Sequence, residues 1–197
     1  MNSSYDKTEK RIIEATLKTL YENGLAPTTS RKIAENAGLS EVTIFRRFKS
    51  KDNLLRVTKQ YYMDYVLEEI NNIFRYDNDK TFRELLKEMG LEILNFFKSN
   101  LIIIKVAMED VFSKEDNQII EIVSEKILKN LVEIFENAIK NNKIREINTK
   151  VAAFNVYSVI FQSIILGRIY GEEEIIDIDE KLDSFLDIFF RGIDKIN

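Results

Sequence analysis

The stretch from Thr28 to Lys51, TTSRKIAENAGLSEVTIFRRFKSK, leaves little freedom in what it can fold into. Thr28 or Thr29 can cap a short helix, because a side-chain oxygen there accepts from backbone N–H groups that have no intrahelical partner. Ile33, Ala34 and Ala37 give that helix one apolar face. Gly38 ends it, since glycine takes the left-handed conformation of a helix stop without steric cost. Leu39 fills the turn, and Ser40 can cap a second helix from Glu41 to Phe48. Two short helices joined by a glycine-containing turn of about three to four residues make a helix-turn-helix.

The basic residues add a direction to this motif. Arg31 and Lys32 fall in the first turn of one helix, and Lys51 falls in the first turn of the next, after Ser50. A cation at a helix N-terminus opposes the macrodipole. A phosphate lying across those N-termini would account for all three. Arg46 and Arg47, at the C-terminal end of the second helix, fit two readings: a dipole complement on a solvated face, or contact with a base or phosphate.

The motif sits within a longer pattern, Arg11 to Val57, RIIEATLKTLYENGLAPTTSRKIAENAGLSEVTIFRRFKSKDNLLRV. A leading helix with Ala15 and Leu20 is followed by the turn Asn23 to Leu25, then TSRKIA, AGLS, T-I-F-R-R-F and SKDNLL, unbroken in order and spacing. This segment resembles the N-terminal DNA-binding domain of the TetR family of transcriptional regulators, with T-I-F-R-R-F at the place of that family's recognition helix. Two positions depart from the family pattern. Phe45 stands where a tyrosine is usual, so a phosphate-bonding hydroxyl is absent. Glu41-Val42 stands where a basic or small pair is commoner.

Composition narrows the function classes. The chain has neither cysteine nor histidine, which removes disulfides, thiolate metal sites, the commonest general base and every Ser-His or Cys-His nucleophile pair. No cofactor or metal site is expected. The net charge of −4 is unevenly distributed: residues 1–60 hold 12 Lys+Arg against 7 Asp+Glu, a net of +5, which leaves −9 on the remainder. A basic end on an acidic body fits a nucleic-acid-binding head. The polar start, MNSSYDKTEKR, has no signal-peptide pattern, and the runs LIII and VIFQSIIL look too short to span a bilayer. A cytoplasmic protein that does not engage membranes is expected.

Beyond the motif, periodicity predicts helices throughout. Lys7 to Asn23 is amphipathic, and Tyr5, Lys7 and Lys10 before and within its start read as a mobile solvated tail, or else as phosphate contacts. One long helix runs from Lys51 to about Phe74, with a loop at Asp77, Asn78 and Asp79. Phe82 to Phe97 carries an i, i+3, i+4, i+7 stripe. Further helices cover Leu101 to Phe112, Ile119 to Ile139, Lys150 to Ile169 and Leu182 to Ile196, with breaks at Ser113 to Asn117 and in the acidic GEEEIIDIDE. The expected fold is all-α: an N-terminal three-helix DNA-binding domain (1–50), joined by a long helix to a larger helical ligand-binding and dimerisation domain (51–197). The Lys150 to Ile169 helix is apolar nearly all round, which suits either a central core helix or a subunit interface.

The TetR resemblance favours the interface, because such proteins dimerise through a bundle of their last two helices; Phe154, Tyr157, Phe161, Ile165, Phe185 and Phe189 would then be interface residues. A two-fold dimer places its reading helices about 34–36 Å apart on double-stranded DNA, so the operator would be an inverted repeat. Candidate DNA contacts are Thr29, Arg31, Ser40, Glu41, Val42, Thr43, Phe45, Arg46, Arg47 and Lys51. Arg31 and Lys51 would hold phosphate, Arg46 could fork onto guanine, Glu41 could accept from cytosine N4, and Val42 could meet a thymine methyl. The resemblance also implies a small-molecule inducer, hydrophobic or aromatic, that shifts the long helix. Tyr61, Tyr65, Phe96, Met108, Phe112 and Phe161, with Asn155 and Gln162 as polar handles, are candidate ligand contacts, each with ordinary core packing as the plain alternative. Two rival readings remain: an interaction protein with a degenerate head, and a helical enzyme built on acids such as Glu109 and Asp110. The second is poorly served by neighbouring carboxylates that point to different helix faces.

Overall fold

The computed structural model describes residues 5–75, 79–110, 119–170 and 177–193. Among them there are nine helices and no strand: α1 (Lys7–Asn23), α2 (Ser30–Ala37), α3 (Glu41–Phe48), α4 (Lys51–Ile73), α5 (Phe82–Ser99), α6 (Leu101–Asp110), α7 (Ile119–Lys140), α8 (Thr149–Tyr170) and α9 (Ile178–Ile193). The chain is all-α, as its periodicity requires. Asp77, Asn78, Phe112, the break at Ser113 to Asn117, the first part of the acidic stretch (171–176) and Ile196 lie outside the described residues, as do the side chains of Glu109 and Asp110.

The helix borders follow from local chemistry. Asp6 caps α1, its Oδ1 accepting from the N–H groups of Thr8 (2.8 Å) and Glu9 (2.9 Å), while Glu9 reaches back to the Asp6 N–H (3.0 Å). This is a capping box. Thr29, not Thr28, caps α2 by accepting from Lys32 N–H at 3.3 Å; Thr28 instead donates to the Gly24 carbonyl at 2.6 Å. Gly38 closes α2 at φ 59°, with Leu39 N–H donating to Ala34 O at 3.0 Å and Gly38 N–H to Glu35 O at 3.1 Å. A Cβ at Gly38 would lie 2.6 Å from the end of the flexible Arg11 side chain, which can move aside, so it is the left-handed backbone conformation that favours glycine there. Ser40 caps α3 and Ser50 caps α4, accepting from Thr43 N–H (3.2 Å) and Asn53 N–H (3.1 Å).

The chain divides into two compact units, Met1–Glu68 with Asn100–Ile122, and Glu69–Ser99 with Val123–Asn197. In the first, Ile12, Ile13 and Ala15 of α1, Ile33, Ala34 and Ala37 of α2, Ile44 and Phe48 of α3 and Leu54 of α4 form one buried core. Helix α6 packs on α1 within this unit. Lys105 donates its ammonium to the Tyr21 carbonyl and sits 5.0 Å from the centre of that tyrosine's ring. It thereby satisfies an orphan carbonyl at the C-terminus of α1 with a cation, the charge that end of a helix favours. The N-terminal residues are not a solvated tail from Tyr5 onward. Tyr5 packs edge-on against Tyr61 of α4 at 6.0 Å, and Tyr61 against Tyr62 at 5.5 Å.

Tyr62 packs against this core, and burial, with Glu14 adding to it, pushes its phenol up to about 12. The folded state therefore holds that proton more tightly than the unfolded chain, whose tyrosines ionise near about 10. Its effect on stability is flat below pH 10; above it, stability falls as the unfolded state ionises first. Urea midpoints measured from pH 9 to 11 are expected to decline in the native protein and to decline less in Tyr62→Phe.

In the second unit, Phe82 of α5 meets Phe135 of α7 at 5.2 Å and Phe190 of α9 at 5.8 Å. Leu85, Leu86, Ile93, Leu131, Ile160 and Leu186 are buried in the same unit. Lys87 bridges to Asp183 (2.5 Å) and Asp179 (3.2 Å), and Arg83 to Asp187 (3.6 Å), which fixes α9 in register along α5. Helix α8 departs from a core helix. Val151 is 55% exposed and Phe154 59%, and Ile188 on α9 is 74% exposed. By length and composition Thr149–Leu166 is apolar enough to cross a bilayer, contrary to the reading of its runs as too short, and only 28% of that window is buried.

Candidate nucleic-acid interface

Helix α3 is anchored through Ile44 and Phe48, both buried in the core of the first unit. That anchorage decides what faces outward. Glu41, Val42, Phe45, Arg46 and Lys49 are exposed, Val42 at 76% and Phe45 at 43%. Val42, Phe45, Arg46 and Lys49 follow i, i+3, i+4, i+7 spacing and so form one continuous stripe. The Arg46 guanidinium has no partner among the described residues, and Phe45 makes no ring contact there. Ser40 and Thr43 share a hydrogen bond between their hydroxyls at 2.9 Å beside the helix start. Glu41 lies in the first turn, where an acid is electrostatically favoured.

The three cations at helix N-termini each have a partner within the chain. Arg31 Nε lies 3.1 Å from Glu35 Oε1, Lys32 Nζ donates to Asn23 Oδ1 at 3.2 Å, and Lys51 Nζ donates to the Thr28 carbonyl at 3.2 Å. Their positions thus have an intramolecular reason and do not by themselves require a phosphate. The Arg31–Glu35 pair is exposed and weak, well under about 1 kcal/mol, and can be exchanged for a stronger anion. Lys51 is half-buried and ties the start of α4 to the residue before the α2 cap.

Arg47 differs from Arg46. It turns onto Asp6 and lies 3.5 Å from Glu9, joining the end of α3 to the capping box of α1. The Glu9 backbone N–H, and then Arg47, hold the Asp6 carboxyl below the usual carboxylate range. Arg47 therefore orients α3, whereas Arg46 stands free on its outer stripe.

Lys49, absent from the sequence-derived set, closes α3 in a three-residue turn. Ser50 N–H donates to Phe48 O at 2.8 Å, with Lys49 at φ 69°, ψ −41°. A non-glycine residue there is strained, and such strain costs roughly 1–3 kcal/mol. Glycine at this position would relieve it, so the lysine side chain is retained at a cost. Lys49→Gly is expected to stabilise the fold by about 1 kcal/mol in urea denaturation while reducing the salt dependence of DNA binding by about one phosphate contact.

The remaining candidates are spread over both units. Tyr61, Tyr65 and Met108 are half-buried in the first. In the second, Phe96 is half-buried at 5.2 Å from Phe97, whereas Asn155, Phe161 and Gln162 are exposed on α8. Of the candidate interface residues, Phe154 and Phe161 are exposed. Tyr157, Ile165, Phe185 and Phe189 are half-buried. Tyr157 stacks on Phe161 at 5.6 Å, and Phe185 on Phe189 at 5.4 Å. Ile188, the most exposed large apolar residue among the described residues of the second unit, was not anticipated from sequence.

Residues 12–58 match the family described as bacterial regulatory proteins, tetR family. Over 190 residues the chain is 24% identical to the uncharacterized HTH-type transcriptional regulator YvkB of Bacillus subtilis (strain 168), covering 94% of this chain and 97% of that protein. The HTH-type transcriptional regulator PksA of the same strain is 33% identical over 91 residues, 46% of this chain and 41% of that one. Among solved structures, the fold is similar to the regulator FadR from Bacillus subtilis in complex with stearoyl-CoA (TM-score 0.69, 20% identity, covering 93% of this chain and 98% of that one). It is similar also to a TetR transcription regulator from Haloarcula marismortui ATCC 43049 (TM-score 0.70, 16% identity, 93% and 95%). At these identities the structural likeness speaks for the fold.

Proposed function

We propose that this chain, which belongs to the TetR family of bacterial regulatory proteins through residues 12–58, is a ligand-responsive repressor. It binds an inverted-repeat operator as a cytoplasmic homodimer and is released by a small molecule. The observation that carries this reading is the outer stripe of α3 and the residue that follows it, where Arg46, without a side-chain partner among the described residues, and the exposed Val42, Phe45 and Lys49 stand beside an inner side anchored by Ile44 and Phe48. Arg46 would read a guanine edge, and Thr29, Arg31, Ser40 and Thr43 would meet phosphate and sugar around it. Exposed Val151, Phe154, Phe161 and Ile188 support pairing through α8 and α9. A mostly unburied α8 is expected to find its cover in a second copy of the chain rather than in lipid. In this reading residues 1–50 serve as the reading head and 51–197 as the ligand-binding and dimerisation part. A hydrophobic inducer is favoured by the aromatic candidates, and FadR's stearoyl-CoA makes a long-chain acyl-CoA the first compound to try. An enzymatic role finds no support among the relatives, which are regulators.

The deciding experiment titrates the purified protein onto DNA from upstream of its own gene, and onto a random duplex, at several salt concentrations. Saturable binding to one inverted repeat, weakening steeply with salt, is expected. Binding no better than to random DNA, repeated with genome-wide selected fragments, would favour the degenerate-head alternative. Acyl-CoA and aromatic compounds are then added to the operator complex, with release as the readout.

A further inference from the structure

Arg47 is answered by more negative charge than the fold around it needs. It meets two carboxylates, Asp6 and Glu9, both from the start of α1. The two acids also form the capping box of that helix. A capping box, however, works as well on amides: asparagine accepts at the N-cap as aspartate does, and glutamine serves three residues on as glutamate does. Capping therefore accounts for the oxygens and not for the two charges. The other head cations are held differently, Arg31 by Glu35 of its own helix, Lys32 and Lys51 by neutral oxygens. The Glu9 N–H, and then Arg47, keep the Asp6 carboxyl below the usual range, so it stays ionised at neutral pH. The contact is open to water, with Arg47 31% exposed, so a phosphate can reach the guanidinium once the acids release it.

From this arrangement we infer that Asp6 and Glu9 are specificity determinants that act through Arg47, withholding one cation of the head from sequence-independent phosphate contact. The inference rests on the proposed DNA-binding function and deepens it. Phosphate contacts grip every duplex alike, whereas base contacts choose among them. With Arg47 closed on the two acids, a random duplex gains one phosphate contact fewer. The operator complex keeps the closed contact, because its base contacts need the orientation of α3 that the contact fixes. Asp6 and Glu9 thus widen the gap between operator and random DNA without meeting either.

The test uses the full-length double variant Asp6→Asn with Glu9→Gln, which keeps the capping acceptors and removes both charges. Its control, Glu14→Gln with Glu22→Gln, removes two charges from exposed positions of the same helix and leaves the Arg47 contact in place. Each protein is titrated onto a random duplex and onto the operator that the native protein selects from a randomised pool. On random DNA the Asp6, Glu9 variant should steepen the log–log salt slope by about 0.9, so its affinity falls about threefold more than the native protein's between about 50 and 200 mM salt. At the lower salt its operator-to-random ratio should drop by about the same factor. The control should keep the native slope. A double variant with the native slope, or a control that steepens it equally, would overturn this inference and leave the regulator reading standing. So would a lower melting temperature with weaker binding to every duplex, since the acids would then only orient α3. A native protein that binds no duplex in a salt-dependent way would overturn both.

Discussion

Phe154→Glu is expected to leave the chain monomeric and to weaken operator binding by about a hundredfold or more. Phe154 is 59% exposed on a helix whose apolar window is only 28% buried, so a charge there costs the isolated chain little. At a subunit interface the same carboxylate would be buried without a partner, which costs several kcal/mol. In the proposed dimer, losing the partner would remove the second half-site contact, and with it the effective concentration that multiplies affinity by about 10²–10⁴. Light scattering gives the mass, and DNA titration at fixed salt gives the affinity. A variant that stays dimeric with native affinity would show that α8 is covered by something other than a second copy through Phe154.

Arg46→Ala should cost about 1–3 kcal/mol of operator binding, or roughly tenfold to a hundredfold, with relaxed preference at one base pair. The guanidinium has no partner among the described residues, so its removal is expected to leave the fold untouched. Arg47→Ala makes the contrast. It breaks the contacts with Asp6 and Glu9, loosening α3 against α1, and should lower affinity through a destabilised head. Circular dichroism melts separate the two: the Arg46 variant melts like the native protein, whereas the Arg47 variant melts lower. If Arg46→Ala bound the operator natively, base reading would have to come from the rest of the stripe.

That contrast also marks how far the sequence could be read. Thr29, Gly38, Ser40 and Ser50 set the helix borders through bonds spanning three to five residues, so the helix-turn-helix and its register were legible from local chemistry. Arg46 and Arg47 are neighbours in sequence with identical side chains, and nothing local tells them apart. The distinction comes from Asp6, 41 residues away, which the fold brings beside Arg47 alone. The N-terminal cations show another limit of local reading. Their placement against the helix dipole points to phosphate, yet the fold also gives each a partner within the chain, Glu35 for Arg31, Asn23 for Lys32 and the Thr28 carbonyl for Lys51, which no local pattern announces. Helix α8 was readable as too apolar for a surface, yet whether core or partner covers it depends on what packs alongside. Val151, Phe154 and Phe161 came out uncovered. The strain at Lys49 depends on backbone angles that no side-chain pattern announces.

Lys105 gives α6 an influence that its place in the sequence conceals. Helix α6 follows α5 of the second unit yet folds into the first, and its lysine completes the end of α1, on which α2 rests. A compound that displaces α6 must therefore either drag α1 along or leave the Tyr21 carbonyl unsatisfied. Both penalties fall on the reading head, so in the proposed regulator an inducer that shifted α6 would make the operator-ready arrangement the costlier one. A chain with Lys105→Met would keep much of the packing and lose the tether. Its operator complex should then be hard to dislodge with the same compound, a repressor gone deaf rather than one gone blind.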